Sequence, residues 1–201
     1  MADPKPQLSH PEKFINIAFW FEASLIGVAW LTGWFAEINP IANLYFSTEA
    51  LIDGIMATIP MFILFLLFYQ YPVGPLYPIR KNLLDIMGPL LSSCRWYELL
   101  ILAAVAGISE EILFRGVLQP WMEAGLGVSA GLILSNVIFG LLHWITATYA
   151  LIAGLIGLYL AYMMDVSEPR NLLTPIVVHG LYDYLAFVFV AAAYRLQQEN
   201  E

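Results

Sequence analysis

Apolar runs long enough to cross a bilayer recur along this sequence, and that constrains the fold more than anything else in it. A spanning helix needs roughly 20 mostly apolar residues. Six stretches qualify: Phe14–Ala36, Ala50–Tyr71, Trp96–Met122, Leu126–Ile145, Ala147–Met164 and Leu172–Tyr194. The composition agrees, since 60% of the 201 residues are hydrophobic and 12% charged, where a soluble domain has about 45–50% and about 25%. The expected fold is therefore all-α, a polytopic transmembrane helical bundle of about six spans.

The segment Pro72–Arg95 is too polar to span. It holds Pro72, Gly74, Pro75 and Pro78, then Arg80, Lys81 and Arg95, and reads as a headgroup-facing loop with an interfacial helix. The chain thus divides into an N-terminal two-span region with a cytoplasmic loop (1–95), a bundle holding the polar residues (96–194) and a polar tail (195–201). The N-terminus is polar and lacks the basic-then-apolar layout of a cleavable signal, so the first span reads as a retained signal anchor. With an even number of spans, Lys5, Lys13, Arg80, Lys81, Arg95 and Arg195 fall on one side and Arg170 on the other. The positive-inside rule then places both termini in the cytoplasm.

A net charge of -8 without a basic patch argues against a nucleic-acid partner. Cys94 is the single cysteine, which leaves neither a disulfide framework nor a thiolate metal site. Small residues recur every fourth position, as Gly127, Gly131 and Ser135 in the fourth span and Ala153, Gly157 and Ala161 in the fifth. Such stripes are seams where membrane helices approach closely.

The informative residues are the polar ones inside the spans. A charged side chain at mid-bilayer costs roughly 2.5–3.5 kcal/mol on insertion scales, so Glu110, Glu111 and Arg115 together cost on the order of 8–10 kcal/mol unless paired or hydrated. Glu111 and Arg115 are four apart and share a helix face. Glu110 points about 100° away from that pair, free for a second task. His143 follows Asn136 by seven residues and Phe139 by four, so the three share a broad face. His179 and Asp183 are again four apart. Glu22 and Asp53 read as isolated interfacial or interhelical contacts, and Glu98 lies near a span end. Of three histidines, only His10 lies outside the spans. Three helices thus contribute a carboxylate, a histidine and a His/Asp pair, the groups that activate water. A charge cluster that merely locks helices together is the plainer reading.

At these residues the chain resembles a family. Glu110-Glu111-Ile112-Leu113-Phe114-Arg115 is similar to the EExxxR motif of the Abi or CPBP family, the CAAX proteases and bacteriocin-processing enzymes. Phe139 to His143 resembles its FxxxH motif, and His179 to Asp183 its HxxxN/D motif. The likeness covers about Trp96–Tyr194. It implies an intramembrane endopeptidase like the type II CAAX prenyl proteases, acting on a membrane-associated peptide or protein. In that picture Glu110 and His143 deprotonate a water, His179 and Asp183 stabilise the oxyanion, and Glu111, Arg115, Phe139 and Asn136 support them. Metal-free chemistry is the favoured expectation; the alternative is zinc or another divalent metal on Glu110, His143 and His179. The prenyl proteases carry Asn where this chain has Asp183, and an ionised carboxylate accepts but does not donate. The competing classes are a non-catalytic membrane scaffold, assembly factor or immunity protein of the same fold, with a membrane complex partner, and a transporter or proton relay. One geometric problem also stands. Simple spans put His143 and His179 toward opposite ends, so they meet only if a helix tilts, ends early or unwinds around a cavity.

Overall fold

Two long apolar helices open the described chain. The structure, a computed structural model, describes residues 11–200, so the readings of Lys5 and His10 concern residues outside it. Helix α1 is Pro11–Ala36 and α2 is Thr48–Gln70. Helix α2 starts where Ser47 offers its hydroxyl oxygen to the Ala50 amide, one of the donors a helix start leaves unpaired. Every element among the described residues is helical.

The segment expected to be a loop with an interfacial helix is helical over most of its length. Leu76–Asn82 forms α3, Leu83–Met87 a π-helical turn and Gly88–Ser92 a short α4. Tertiary packing overrides the breakers here. Leu91 and Cys94 are buried against Val190 and Ala191, and the Arg195 guanidinium donates to the Ser92 carbonyl at 2.7 Å.

The expected third span is longer and less regular than its sequence suggests. Helix α5, Trp96–Leu113, begins where Glu98 accepts from the Arg95 amide at 2.6 Å. It runs through a π-helical turn, Phe114–Leu118, into α6, Gln119–Leu126. Gly127, at φ 86°, then reverses the chain, a backbone conformation glycine adopts without steric cost. Helix α7 is Val128–Leu142, α8 is Ala147–Met164 and α9 is Leu173–Glu199. The tail expected to be separate is therefore helical through Glu199.

Four stretches, Lys13–Ala36, Thr48–Gln70, Ala147–Met164 and Leu173–Glu199, are long and apolar enough to cross a membrane. Helix α7 is apolar but has 15 residues, and α5 carries Glu98, Glu110 and Glu111. Only 6% of the apolar window of α1 is buried in the protein, and Trp20, Phe21, Trp34 and Phe35 are all exposed. Contiguous apolar surface on this scale does not suit water. It suits lipid, and the chain is a polytopic membrane protein.

Helix α5 is the hub. It packs on α1 and α9; α2 also packs on α9, and α7 packs on α6 and α8. The N-terminal helices are thus part of one bundle with the rest. Close approach is allowed by small residues: a Cβ on Gly107 would lie 2.7 Å from the Gly180 amide nitrogen. At one end of the bundle, Arg170 pairs with Glu123 at 2.8 Å and Asp165 at 2.6 Å, tying α6 to the α8–α9 connection.

Candidate active site

The polar residues of α5, α7 and α9 converge on one another. Arg115, 1% exposed, starts the assembly from the π-helical turn. Its guanidinium donates to Glu111 Oε1 at 2.9 Å, to Asn136 Oδ1 at 3.1 Å and to the Gly157 carbonyl at 2.7 Å. One side chain thereby ties α5, α7 and α8. Gly157 is needed at that contact, because a Cβ there would lie 2.5 Å from Asn136 Oδ1. The fourth-residue stripe of α8 is a seam, as expected, and it also exposes a carbonyl to Arg115.

Phe139 fills the space between the charged groups. Its ring centroid lies 4.8 Å from the Arg115 guanidinium carbon, 4.4 Å from the His143 ring and 6.2 Å from the His179 ring. A cation over an aromatic face is attracted by the ring quadrupole, so Phe139 both packs and partly compensates Arg115.

His143 follows the last residue of α7. Its Nδ1 lies 2.9 Å from the Phe139 carbonyl. A carbonyl only accepts, so Nδ1 carries a proton and donates. Nε2 then faces Glu110 Oε2 at 3.6 Å, beyond direct hydrogen-bond range. That Glu110 oxygen is buried and has no hydrogen-bond partner.

His179 is held from the other side. Its Nδ1 donates to Glu111 Oε1 at 2.8 Å, and its Nε2 lies 3.6 Å from Asp183 Oδ2. Glu111, fully buried, thus serves Arg115 and His179 through one oxygen. The expected Glu111–Arg115 pair is present, with a histidine added to it that spacing alone does not predict.

The separation foreseen between His143 and His179 does not occur, for two reasons. The Gly127 turn is tight, and His143 lies sixteen residues after it while Glu111 lies sixteen before it. The two arms of this hairpin therefore return His143 to the level of the carboxylates, where α7 ends. Helix α9 begins only six residues before His179, and Gly180 packs on Gly107. At 1.5 Å per residue, Glu110 lies about 22 Å along α5 from Arg95, and His179 about 24 Å along α9 from Arg195. The site is deep inside the bundle on both counts.

Sequence reasoning missed two contributors. Glu22 on α1, read as an isolated contact, lies near enough to Glu110, His179 and Asp183 to feel their charges. Tyr149, in the first turn of α8, is likewise within reach of Asp183 and Glu110. Neither carries a spacing signal, because each faces partners on other helices. The set proposed as metal ligands does not assemble as one. Among the described residues, no three His, Cys, Asp or Glu side chains converge closely enough to hold an ion. Glu110 turns to His143, while His179 turns to Glu111.

Fold and site together define a helical membrane protein with a buried carboxylate–histidine centre. A family model of Rce1-like type II CAAX prenyl endopeptidases matches residues 92–185, a little under half of the chain, from the end of α4 to just past Asp183. Over residues 92–185 the chain is similar to type II CAAX prenyl endopeptidases of the Rce1-like kind. Neither a curated protein nor a solved structure matches the chain.

Proposed function

We propose that the chain is an intramembrane endopeptidase that hydrolyses a peptide bond of a membrane-associated protein or peptide. The observation that carries this reading is the pairing of Glu110 with His143. Two hydrogen-bond acceptors facing each other at 3.6 Å repel unless something donates to both. A water has two protons to give. Placed at the apex between them, it would donate to each and present its lone pair to a carbonyl carbon.

The reaction then balances simply. The water oxygen bonds to the scissile carbonyl carbon, and its proton passes to Glu110. As the C–N bond breaks, that proton goes to the leaving amine. His143 orients the water, fixed by its own bond to the Phe139 carbonyl. His179, which sits between the carboxylates of Glu111 and Asp183, acts with both ring nitrogens protonated and offers Nε2–H to the developing oxyanion. Asp183 accepts but does not donate when ionised, so it orients His179 rather than binding the oxyanion itself. Glu111, Arg115, Asn136 and Phe139 hold the imidazoles in place.

Metal-free chemistry is the favoured form, with zinc as the alternative. Asp183→Asn should stay within about tenfold of wild-type turnover, since orienting groups matter less than a base, whose loss costs about 10²–10⁴. Chelators should leave hydrolysis by purified protein in liposomes unchanged. Stoichiometric zinc, with activity lost to chelator and restored by the metal, would overturn the metal-free form and make His143 and His179 ligands.

The orientation proposed is with both termini cytoplasmic. Lys13, Arg80, Lys81, Arg95 and Arg195 sit toward the end of the bundle opposite Arg170. Single cysteines near Lys81 should then resist an impermeant thiol reagent in intact cells. Cysteines near Glu168 should react. The reverse pattern would invert the bundle.

A further inference from the structure

The α7–α8 hairpin sets the level at which a tyrosine enters the site. A Cβ on Gly140 would meet the Ala150 carbonyl and lie 3.0 Å from the Gly154 nitrogen. One turn earlier on α7, the Asn136 carbonyl would lie 3.1 Å from a Cβ on Gly154, and its side-chain oxygen 2.5 Å from one on Gly157. The two helices are therefore antiparallel and in close contact. Three residues beyond Gly140, His143 comes level with Tyr149, in the first turn of α8. That turn is fixed by Thr146, whose hydroxyl oxygen accepts from the Tyr149 amide at 3.1 Å.

Tyr149 lies on the inward face of α8. Tyr149, Ala153, Ile156 and Leu160 follow one another at intervals of four, three and four, so they share one stripe. Ala153 packs in the cluster of Ile112, Leu113 and Phe139, and Leu160 in the cluster of Met61 and Val178. The stripe thus looks toward α5, α7 and α9. Asp183 and Glu110 are near enough for Tyr149 to feel their charges. Tyr159, on the same helix, gives its hydroxyl to the Ala57 carbonyl at 2.8 Å. The Tyr149 hydroxyl makes no hydrogen bond among the described residues. An enclosed phenol normally finds a partner, so this donor is free for a group that arrives with the substrate.

The chemistry of position 183 supplies the demand. An ionised Asp183 accepts hydrogen bonds and gives none, so an oxyanion forming beside it meets a like charge. His179 offers one hydrogen there. Donors aimed at developing charge are usually the largest single contribution to acyl transfer.

We propose that Tyr149 is a second oxyanion donor of the active site, its phenol supplying the hydrogen that an aspartate at position 183 does not. The proposal deepens the peptidase reading and rests on it. No bond forms or breaks at Tyr149. Its O–H bond points at the carbonyl oxygen, the hydrogen bond tightens as water adds to the carbon, and it relaxes when the C–N bond breaks and the carbonyl returns.

The test uses full-length protein in liposomes and the peptide that wild type cleaves fastest from an internally quenched library of apolar peptides. Y149F removes one oxygen and keeps the ring. It should lower kcat by about 10²–10³-fold, the usual cost of one oxyanion donor, with KM nearly unchanged. In a D183N chain the amide donates in its stead, and Y149F should then cost about tenfold or less. A packing role would give the same loss in both backgrounds. That result, or Y149F as active as wild type, would overturn the assignment while leaving the peptidase reading standing. A wild type that cleaves no peptide of the library would overturn the reading and the assignment together. Where Y149F does not fold, Tyr149→4-aminophenylalanine and Tyr149→4-fluorophenylalanine decide. Both fill the phenol's space, but only the amino ring donates. It alone should keep turnover near wild type, and equal turnover in the two would overturn the assignment.

Discussion

Glu110→Gln is expected to lower peptide hydrolysis by about 10²–10⁴-fold, the usual cost of losing a general base, while leaving thermal stability in detergent close to wild type. Two features of the structure lead to that combination. Glu110 makes no ion pair with Arg115, whose charge is taken by Glu111, so the amide orphans no cation. Its Oε2 has no hydrogen-bond partner in the protein, so no direct bond is broken. What the amide removes is a proton acceptor facing His143. Turnover above about a tenth of wild type would show that Glu110 is not the base.

Arg115→Ala should fail in the opposite way, as a folding defect. The guanidinium is 1% exposed and joins three helical segments. Removing it leaves the fully buried Glu111 without its strong donor, and breaking a buried ion pair from one side costs about 3–5 kcal/mol. The loss should appear as a lowered melting temperature in detergent. Glu111→Gln combined with Arg115→Met should recover part of it, because neither charge then remains uncompensated. The recovery should be incomplete. Glu111 also accepts from His179, and the Gly157 carbonyl loses its donor in both variants. A single variant as stable as wild type would mean that the pair is hydrated.

The bundle was legible because lipid imposes a simple rule on sequence: spans must be long, apolar and helical. The pairing of Glu111 with Arg115 was legible for a similar reason, since both lie on one helix, four residues apart. What spacing does not carry is register between helices. The meeting of His143 with Glu110 depends on the tight turn at Gly127 and on the early end of α7. Neither is encoded in hydropathy, which treats Leu142 and Ile145 alike. The π-helical turn at Phe114–Leu118 was equally invisible, although it carries Arg115. Helix in Pro72–Arg95 extends further than one interfacial helix because the burial of Leu91 and Cys94 against α9, a tertiary effect, outweighs the Pro and Arg of the local sequence. Glu22 was underestimated because an isolated carboxylate on a helix reveals nothing about which neighbour it faces.

The central claim is that the buried centre around Glu110 cuts peptide bonds in or at the membrane. Its most direct test compares peptide termini in membranes from cells making the native chain with those from cells making Glu110→Gln at equal, folded abundance. The account predicts a set of new N-termini within or beside transmembrane segments that appears with the native chain and vanishes with the variant. Identical sets of termini from the two chains would contradict it.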